Sequence, residues 1–146
     1  MTDPSCIFCQ IIAGDAPAHK VYEDDLCLAF LDIHPLADFH TLLIPKHHVA
    51  RMEDCKDASA AALGVAVKRV SKIIHNLTGN KDFNILLANG QQAGQEVWHS
   101  HYHFIPREGR SDRLGYRWKT GRLPSQDAIN DFCSKALSFY AITGGK

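Results

Sequence analysis

The sequence lacks several features that would assign it to a broad class of protein. It has no basic stretch followed by an apolar segment near its start, and no apolar run approaches the ~20 residues of a membrane-spanning helix. We therefore expect no secretory signal and no membrane partner. Neither charge is in excess, because Lys and Arg number 16 and Asp and Glu also number 16. This balance argues against a nucleic-acid partner, which needs a dense basic surface, but it permits a local phosphate site.

The chain also lacks an even set of cysteines, internal repeats, low-complexity tracts and linkers. It has five cysteines, at positions 6, 9, 27, 55 and 133. An odd number without a secretory signal predicts free thiols in a reducing compartment, so we expect a cytoplasmic protein. A length of 146 residues fits one domain that spans residues 1–146.

Hydrophobic periodicity predicts an antiparallel sheet with helices on one side, an α+β fold. Apolar spacing of three and four predicts a long helix over 57–77, capped by Asp57 or Ser59 and ended by Gly79. Further helices are predicted over 7–12 and 124–140, the second with an inner face of Ile129, Phe132, Cys133, Ala136, Leu137 and Tyr140. Five strands are predicted over 19–23, 26–32, 39–45, 83–88 and 97–105.

Three histidines alternate with other residues in the fifth predicted strand. Successive side chains of a strand point to opposite faces, so His99, His101 and His103 would form one row, roughly 6.5–7 Å apart. The opposite face would be buried by Trp98, Tyr102 and Phe104. Such a row can bind a metal with help from another segment, act in general acid–base catalysis, or supply a nucleophile. The row alone leaves these three chemistries open.

The motifs around this row resemble the signature of the histidine triad (HIT) nucleotide-binding proteins, in their bacterial Hint-like or Hit branch. The resemblance runs from about residue 6 to about residue 120, over segments 6–14, 24–33, 40–48 and 94–107. It implies the HIT fold: five antiparallel strands, one long central helix and a C-terminal helix. It also implies a homodimer in which the sheet continues across both subunits.

The resemblance implies a nucleotidyl hydrolase in which His101 attacks the α-phosphorus of a purine nucleotide. A nucleotidyl-histidine intermediate would form, and water would resolve it to the nucleoside monophosphate. His103 and His40 would hold the phosphate, and His99 would support the nucleophile. Phosphoramidates are the implied substrates, with related esters and anhydrides. Alternatives are a dinucleoside polyphosphate hydrolase, or a nucleotide-binding regulatory or scaffold module with vestigial catalysis.

Further residues are implied to bind the nucleotide, and no organic cofactor is implied. Asp32 would accept the ribose hydroxyls, although a strand-end turn acid is an alternative for it. Phosphate and leaving-group contacts are implied for Asn89, Gly94, Gln95 and Val97. An apolar slot for the purine would comprise Ile7, Phe8, Ile11, Phe30 and Ile33, of which Phe8 and Phe30 could equally be ordinary core.

Two positions stand apart from this set. Glu96 occupies a position where several family members have Ser or Thr, and a carboxylate repels phosphate, so we assign it no phosphate role. Trp118 is interpreted as a packing or dimer contact, with substrate selection from the partner subunit as the alternative.

Cys6 and Cys9 have the spacing of half a zinc site. Two buried thiols or a redox pair are alternatives. The resemblance to a subset of bacterial HIT proteins implies a structural zinc completed by His48 and His99, with His47 as the alternative to His48. Such a site would connect the N-terminal helix to the triad segment and orient His99.

Overall fold

A five-stranded antiparallel sheet organises the first of two compact units, Met1–Gly115 and Tyr116–Lys146. The computed structural model describes residues 3–109 and 121–143, with the backbone alone for 139–143. The predicted α+β class and the five antiparallel strands are confirmed, whereas a single domain over 1–146 stays a prediction. The strands, in the spatial order β1-β2-β3-β5-β4, are β1 (Lys20–Glu23), β2 (Cys27–Leu31), β3 (Thr41–Pro45), β4 (Phe83–Leu87) and β5 (Tyr102–Pro106).

Two helices, α1 (Ile7–Ala13) and α2 (Asp57–Thr78), cover opposite faces of the sheet. Phe8 and Ile11 of α1 pack on one face, against Leu28, Phe30, Leu42 and Ile44. On the other face, Leu63, Val70 and Ile74 of α2 pack against Cys27, Ala29, Leu43 and Phe104. The prediction that the helices share one side of the sheet is therefore wrong. Because β2 and β3 are buried on both faces, they consist of apolar residues except for the buried Thr41.

The ends of α2 agree with the prediction at the C-terminus only. Gly79 ends the helix in the left-handed conformation, with φ 70°. At the N-terminus the capping residue is Lys56, and no side chain caps the helix, so the predicted cap by Asp57 or Ser59 is wrong. Leu77, placed on the buried stripe by its spacing, is exposed.

The fifth strand is shorter than its alternating pattern predicts. It begins at Tyr102, so His99 and His101 precede the strand, but the rings of His101 and His103 still lie side by side, with centroids 4.8 Å apart. Pro45 of the neighbouring strand has no N–H to donate, and its carbonyl accepts a hydrogen bond from the His99 ring at 2.9 Å. The Ser100 N–H donates to the Val49 carbonyl at 2.7 Å and not to the sheet. Trp98, predicted to be buried, is 47% exposed.

In the second unit the structure describes residues 121–143, of which α3 (Gln126–Thr143) confirms the predicted C-terminal helix. Its predicted inner face is not covered, since Phe132 and Leu137 are 73% and 75% exposed. Trp118 and the side chain of Tyr140 lie outside the described residues. No helix within residues 3–109 and 121–143 is long and apolar enough to cross a membrane.

Candidate active site

A cavity of about 650 Å³ opens beside α1 and the end of β2. Three of the four predicted catalytic histidines line it, namely His40, His101 and His103. Carbon-rich walls and a few polar groups are typical of a small-molecule site. The structure also brings eight of the ten predicted substrate residues to its walls: Ile7, Phe8, Ile11, Phe30, Asp32, Ile33, Gly94 and Val97.

His101 presents one basic nitrogen and holds a proton on the other. Its Nδ1–H donates to the His99 carbonyl oxygen at 2.7 Å, so Nε2 carries the lone pair. The Phe8 ring packs edge-on against the imidazole, with centroids 5.3 Å apart. Burial lowers the pKa of His101, and this outweighs the opposing influences of the His99 carbonyl and the Asp32 charge. The neutral ring can therefore serve as a nucleophile or as a base near neutral pH.

His40 and His103 form a chain of directed hydrogen bonds. The Leu36 N–H donates to His40 Nδ1 at 3.2 Å, which leaves the His40 proton on Nε2. That Nε2–H donates to His103 Nδ1 at 3.0 Å, so His103 carries its own proton on Nε2. Asp32 Oδ2 lies 3.5 Å from the same His40 Nδ1, which in this tautomer has no proton to donate to the carboxylate. His103 thus offers a donor that suits a phosphate oxygen.

Burial keeps both imidazoles of this chain neutral. Desolvation lowers the pKa of His103 to about 4, and the nearby His101 and His40 add to the effect. The pKa of His40 is lowered by the same cause, against the raising influence of the Asp32 carboxylate. Neutral rings preserve the donor and acceptor pattern over the physiological pH range.

A second cluster lies behind the cavity and contains Cys6, Cys9, His48 and His99, whose ligand atoms all fall within 4.8 Å of one another. Cys6 Sγ and Cys9 Sγ lie 3.5 and 3.8 Å from His99 Nδ1, and Cys9 Sγ lies 3.4 Å from His48 Nδ1. A tetrahedron with zinc–sulfur and zinc–nitrogen bonds of about 2.3 and 2.0 Å has edges of roughly 3.3–3.8 Å. The donor set therefore fits zinc in identity and in spacing.

The backbone orients His99 toward this cluster. Its Nε2–H donates to the Pro45 carbonyl, so Nδ1 carries the lone pair that faces the sulfurs. Burial lowers the pKa of His99 to about 4, which keeps this lone pair free of a proton. His48, and not the alternative His47, is the histidine beside Cys9.

The two remaining predicted residues, Asn89 and Gln95, do not line the cavity. Asn89 accepts a hydrogen bond from the Met52 N–H at 3.0 Å and donates to Glu53 at 2.6 Å. Buried Gln95 accepts from the Gly90 N–H at 2.8 Å and donates to the Ala50 and Val97 carbonyls at 2.7 and 3.1 Å. Both side chains brace the loops around the site.

Sequence reasoning missed residues that act through their backbone or small size. Leu36 determines the tautomer of His40 through its N–H, and Pro45 orients His99 through its carbonyl. Other residues of the cavity wall include Ala16, Pro17, Ala18 and Leu42. No sequence signal identifies Leu36, whereas Pro45 could have been found as the residue that ends a strand beside the predicted triad.

Comparison with known proteins finds relatives of one family. A sequence model of the HIT domain matches residues 13–110. The chain is 45% identical over 114 residues to adenosine 5'-monophosphoramidase hnt1 of Schizosaccharomyces pombe, which covers 78% of this chain and 83% of that protein. It is also 45% identical over 105 residues to adenylylsulfatase HINT3 of Arabidopsis thaliana, covering 72% of this chain and 53% of that protein.

Solved structures resemble the fold as well. A member of the HIT family from Bacillus subtilis superposes with a TM-score of 0.83 at 42% identity, over 90% of this chain and 95% of that one. The chain therefore resembles this protein in sequence as well as in fold.

Proposed function

Because this chain belongs to the HIT family, we propose that it hydrolyses purine nucleoside phosphoramidates or related nucleotidyl esters and anhydrides. The observation that carries the proposal is the orientation of His101 at the cavity. Its Nδ1–H is held by the His99 carbonyl at 2.7 Å, which leaves Nε2 as the nucleophilic nitrogen. The relative from Schizosaccharomyces pombe supports this choice, since it is named as an adenosine 5'-monophosphoramidase.

The reaction proceeds in two steps, transfer of the nucleotidyl group to His101 and then its hydrolysis. Nε2 of His101 bonds to the α-phosphorus, the phosphorus–nitrogen bond breaks, and the amine leaves with one proton taken from solvent. Water then attacks the phosphorus, the bond to Nε2 breaks, and one proton returns to solvent with the nucleoside monophosphate. The Nδ1–H of His101 continues to donate to the His99 carbonyl, whose oxygen stabilises the positive charge that the ring gains on attack.

The remaining lining residues divide between phosphate and nucleoside. The Nε2–H of His103, directed by His40, donates to a phosphate oxygen, and the lining residues Gly94 and Val97 are assigned to the same phosphate. Asp32 accepts the ribose hydroxyls. The base occupies the apolar slot of Ile7, Phe8, Ile11, Phe30 and Ile33. Asn89 and Gln95 contribute by bracing the loops.

Turnover of a fluorogenic adenosine phosphoramidate by the pure protein tests this function. We expect the wild-type chain to release the fluorophore and adenosine monophosphate, and His101→Ala to abolish release. Nucleotide binding without turnover by the wild-type protein would instead support the regulatory module. Equal rates in wild-type and His101→Ala protein would reject the mechanism.

We further propose that Cys6, Cys9, His48 and His99 bind a structural zinc. The fit of their spacing to a tetrahedron supports this. Four protein ligands close the coordination sphere, so the ion would stabilise α1 against the triad segment and leave no position for substrate. Protein purified without chelator or a metal-affinity column should contain about one zinc per chain by elemental analysis. A content near zero would reject the site. The five free cysteines fit the predicted cytoplasmic location.

A homodimer is proposed through the β4 edge of the sheet. Of the two edge strands, β1 carries the ion pairs of Glu23 with Lys20 and Lys46, which discourage strand addition. Strand β4 has no such charges, and its Ile85 is 39% exposed. Addition of a second β4 strand would continue the sheet across both subunits. Sedimentation at micromolar concentration should give twice the 16.2 kDa of one chain, and a monomer alone would reject the proposal.

A further inference from the structure

A second, more open cavity of about 560 Å³ adjoins the candidate active site. Gly94 and Glu96 line both cavities, so the second continues the first at its proposed phosphate end. Its other walls come from Gln91, Gln95 and Trp98. A group attached to the phosphorus on the side away from the nucleoside would extend into this space.

The loop that forms the second cavity is held in place by a buried amide. Gln95 is 4% exposed, and its side chain makes three hydrogen bonds to the backbone of Ala50, Gly90 and Val97. A residue whose neighbour is fixed in this way has little freedom of its own backbone. Glu96 is therefore presented to the cavities on a preorganised loop.

The exposed side chains on this loop suit a cation. Glu96 carries a carboxylate for which no ion pair is found within residues 3–109 and 121–143. Trp98, two residues on, exposes 47% of its surface and lines the same cavity. An indole face attracts ammonium and guanidinium groups, and a nearby carboxylate adds a charge of the opposite sign.

Resting on the proposed function, we infer that Glu96 and Trp98 form a leaving-group subsite that selects amines with a second positive charge. The scissile nitrogen leaves as described above, and the second ammonium or guanidinium group takes no part in bond making. The same carboxylate disfavours sulfate and polyphosphate leaving groups by repulsion. This chain should therefore act on cationic phosphoramidates in preference to nucleotidyl sulfates and dinucleoside polyphosphates.

Matched substrates test the subsite. Adenosine phosphoramidates of diaminohexane and of heptylamine have leaving groups of nearly equal length that differ by one charge. We expect the ratio of their kcat/KM values to favour the diamine by about tenfold, the size of one exposed ion pair combined with one exposed cation–π contact. Adenylyl sulfate should be the poorest of the three, and added salt should reduce the diamine preference.

Variants assign the preference to the two side chains. Glu96→Gln should reduce the diamine-to-heptylamine ratio to about three, the share of the cation–π contact, and Trp98→Leu should reduce it by about threefold. Asp25→Asn removes an exposed carboxylate that lines neither cavity, so it should preserve the ratio. A ratio near one in the wild-type protein, or an unchanged ratio in Glu96→Gln, would overturn the subsite.

Binding to His101→Asn protein separates this inference from the proposed function. Calorimetry with the two intact phosphoramidates should show the same preference for the diamine, and adding Glu96→Gln to His101→Asn should reduce that preference. If the wild-type protein hydrolyses neither substrate, the proposed function fails and the binding ratio alone decides the subsite. If it hydrolyses both equally and binds both equally, the function stands and the subsite fails.

Discussion

The two histidine clusters use the same side chain in opposite ways, and the difference lies in which ring nitrogen the backbone holds. In the cluster with Cys6 and Cys9, the Pro45 carbonyl takes Nε2–H of His99 and leaves Nδ1 to face the sulfurs. In the cavity, the His99 carbonyl takes Nδ1–H of His101 and leaves the Nε2 lone pair free. Two carbonyls thus direct neighbouring histidines to the two sites, for which we propose metal binding and catalysis respectively.

The largest expected effect is the loss of kcat on replacing His101, which lies at the cavity and not in the cluster with Cys6 and Cys9. His101→Asn keeps an N–H that can bond to the His99 carbonyl but removes the nucleophile, so kcat should fall by about 10³-fold or more. Affinity for adenosine monophosphate should change by only a few-fold. Single-turnover kinetics and calorimetry measure the two quantities. A kcat within tenfold of wild type would contradict the assignment of His101.

A smaller loss of kcat should follow removal of the donor that directs His103. In His40→Leu nothing holds His103 in its tautomer, so kcat should fall by roughly 10–100-fold, the usual cost of losing an orienting hydrogen bond. His40→Gln restores an N–H donor and should recover part of the loss. If the Gln variant is no better than the Leu variant, His40 acts by something other than its donor.

Removing a thiol from the cluster of Cys6, Cys9, His48 and His99 should affect stability and substrate affinity more than kcat. Cys9→Ser should lower Tm by about 5 °C or more, because the ligands join segments distant in sequence. Since α1 carries Ile7, Phe8 and Ile11, KM should rise more than kcat falls. Cys133→Ser makes the same change at an exposed position and serves as the control. Equal effects of the two substitutions would reject the structural role.

The smallest expected effect is a change in the pH dependence of stability. The pKa of His103 is about 4 in the folded protein and near 6.5 when unfolded. Between these values the unfolded chain binds more protons, so this contribution to the free energy of unfolding is complete above pH 6.5 and is lost as pH falls toward 4. His103→Asn should flatten the decline of Tm over this range. His75→Asn, at an exposed position, should leave the decline unchanged.

Sequence reasoning named most of the residues that the structure brings together at the cavity and at the Cys–His cluster, but not how they are arranged. Periodicity and turn residues were enough for the first four strands, for α2 and for the turn at Gly79, because local chemistry determines them. The alternation of His99, His101 and His103 predicted one strand, but strand pairing stops at Tyr102 because Pro45 and Val49 engage the preceding segment. Such a contact joins residues about fifty positions apart, so no local pattern contains it.

The roles of polar residues were the least predictable part of the site. Gln95 and Asn89 are both able to contact a phosphate, and a sequence cannot show that their hydrogen-bonding groups are already engaged with the backbone. Likewise the two faces of the sheet carry similar apolar residues, so the sequence could not assign α1 and α2 to opposite sides.

The hydrogen bond from His101 to the carbonyl of His99 has a consequence for mutational robustness. Its acceptor is a main-chain atom, so no side-chain substitution at position 99 deletes it. Replacing the His99 side chain removes one member of the cluster with Cys6, Cys9 and His48, but it leaves the main-chain carbonyl oxygen that accepts from His101. We therefore expect the orientation of the His101 ring to survive substitution of Cys6, Cys9, His48 or the His99 side chain. The condition is that the backbone hydrogen bond from Ser100 to Val49 is kept. Related chains can thus lose the cluster of Cys6, Cys9, His48 and His99 and keep the orientation of the imidazole that corresponds to His101.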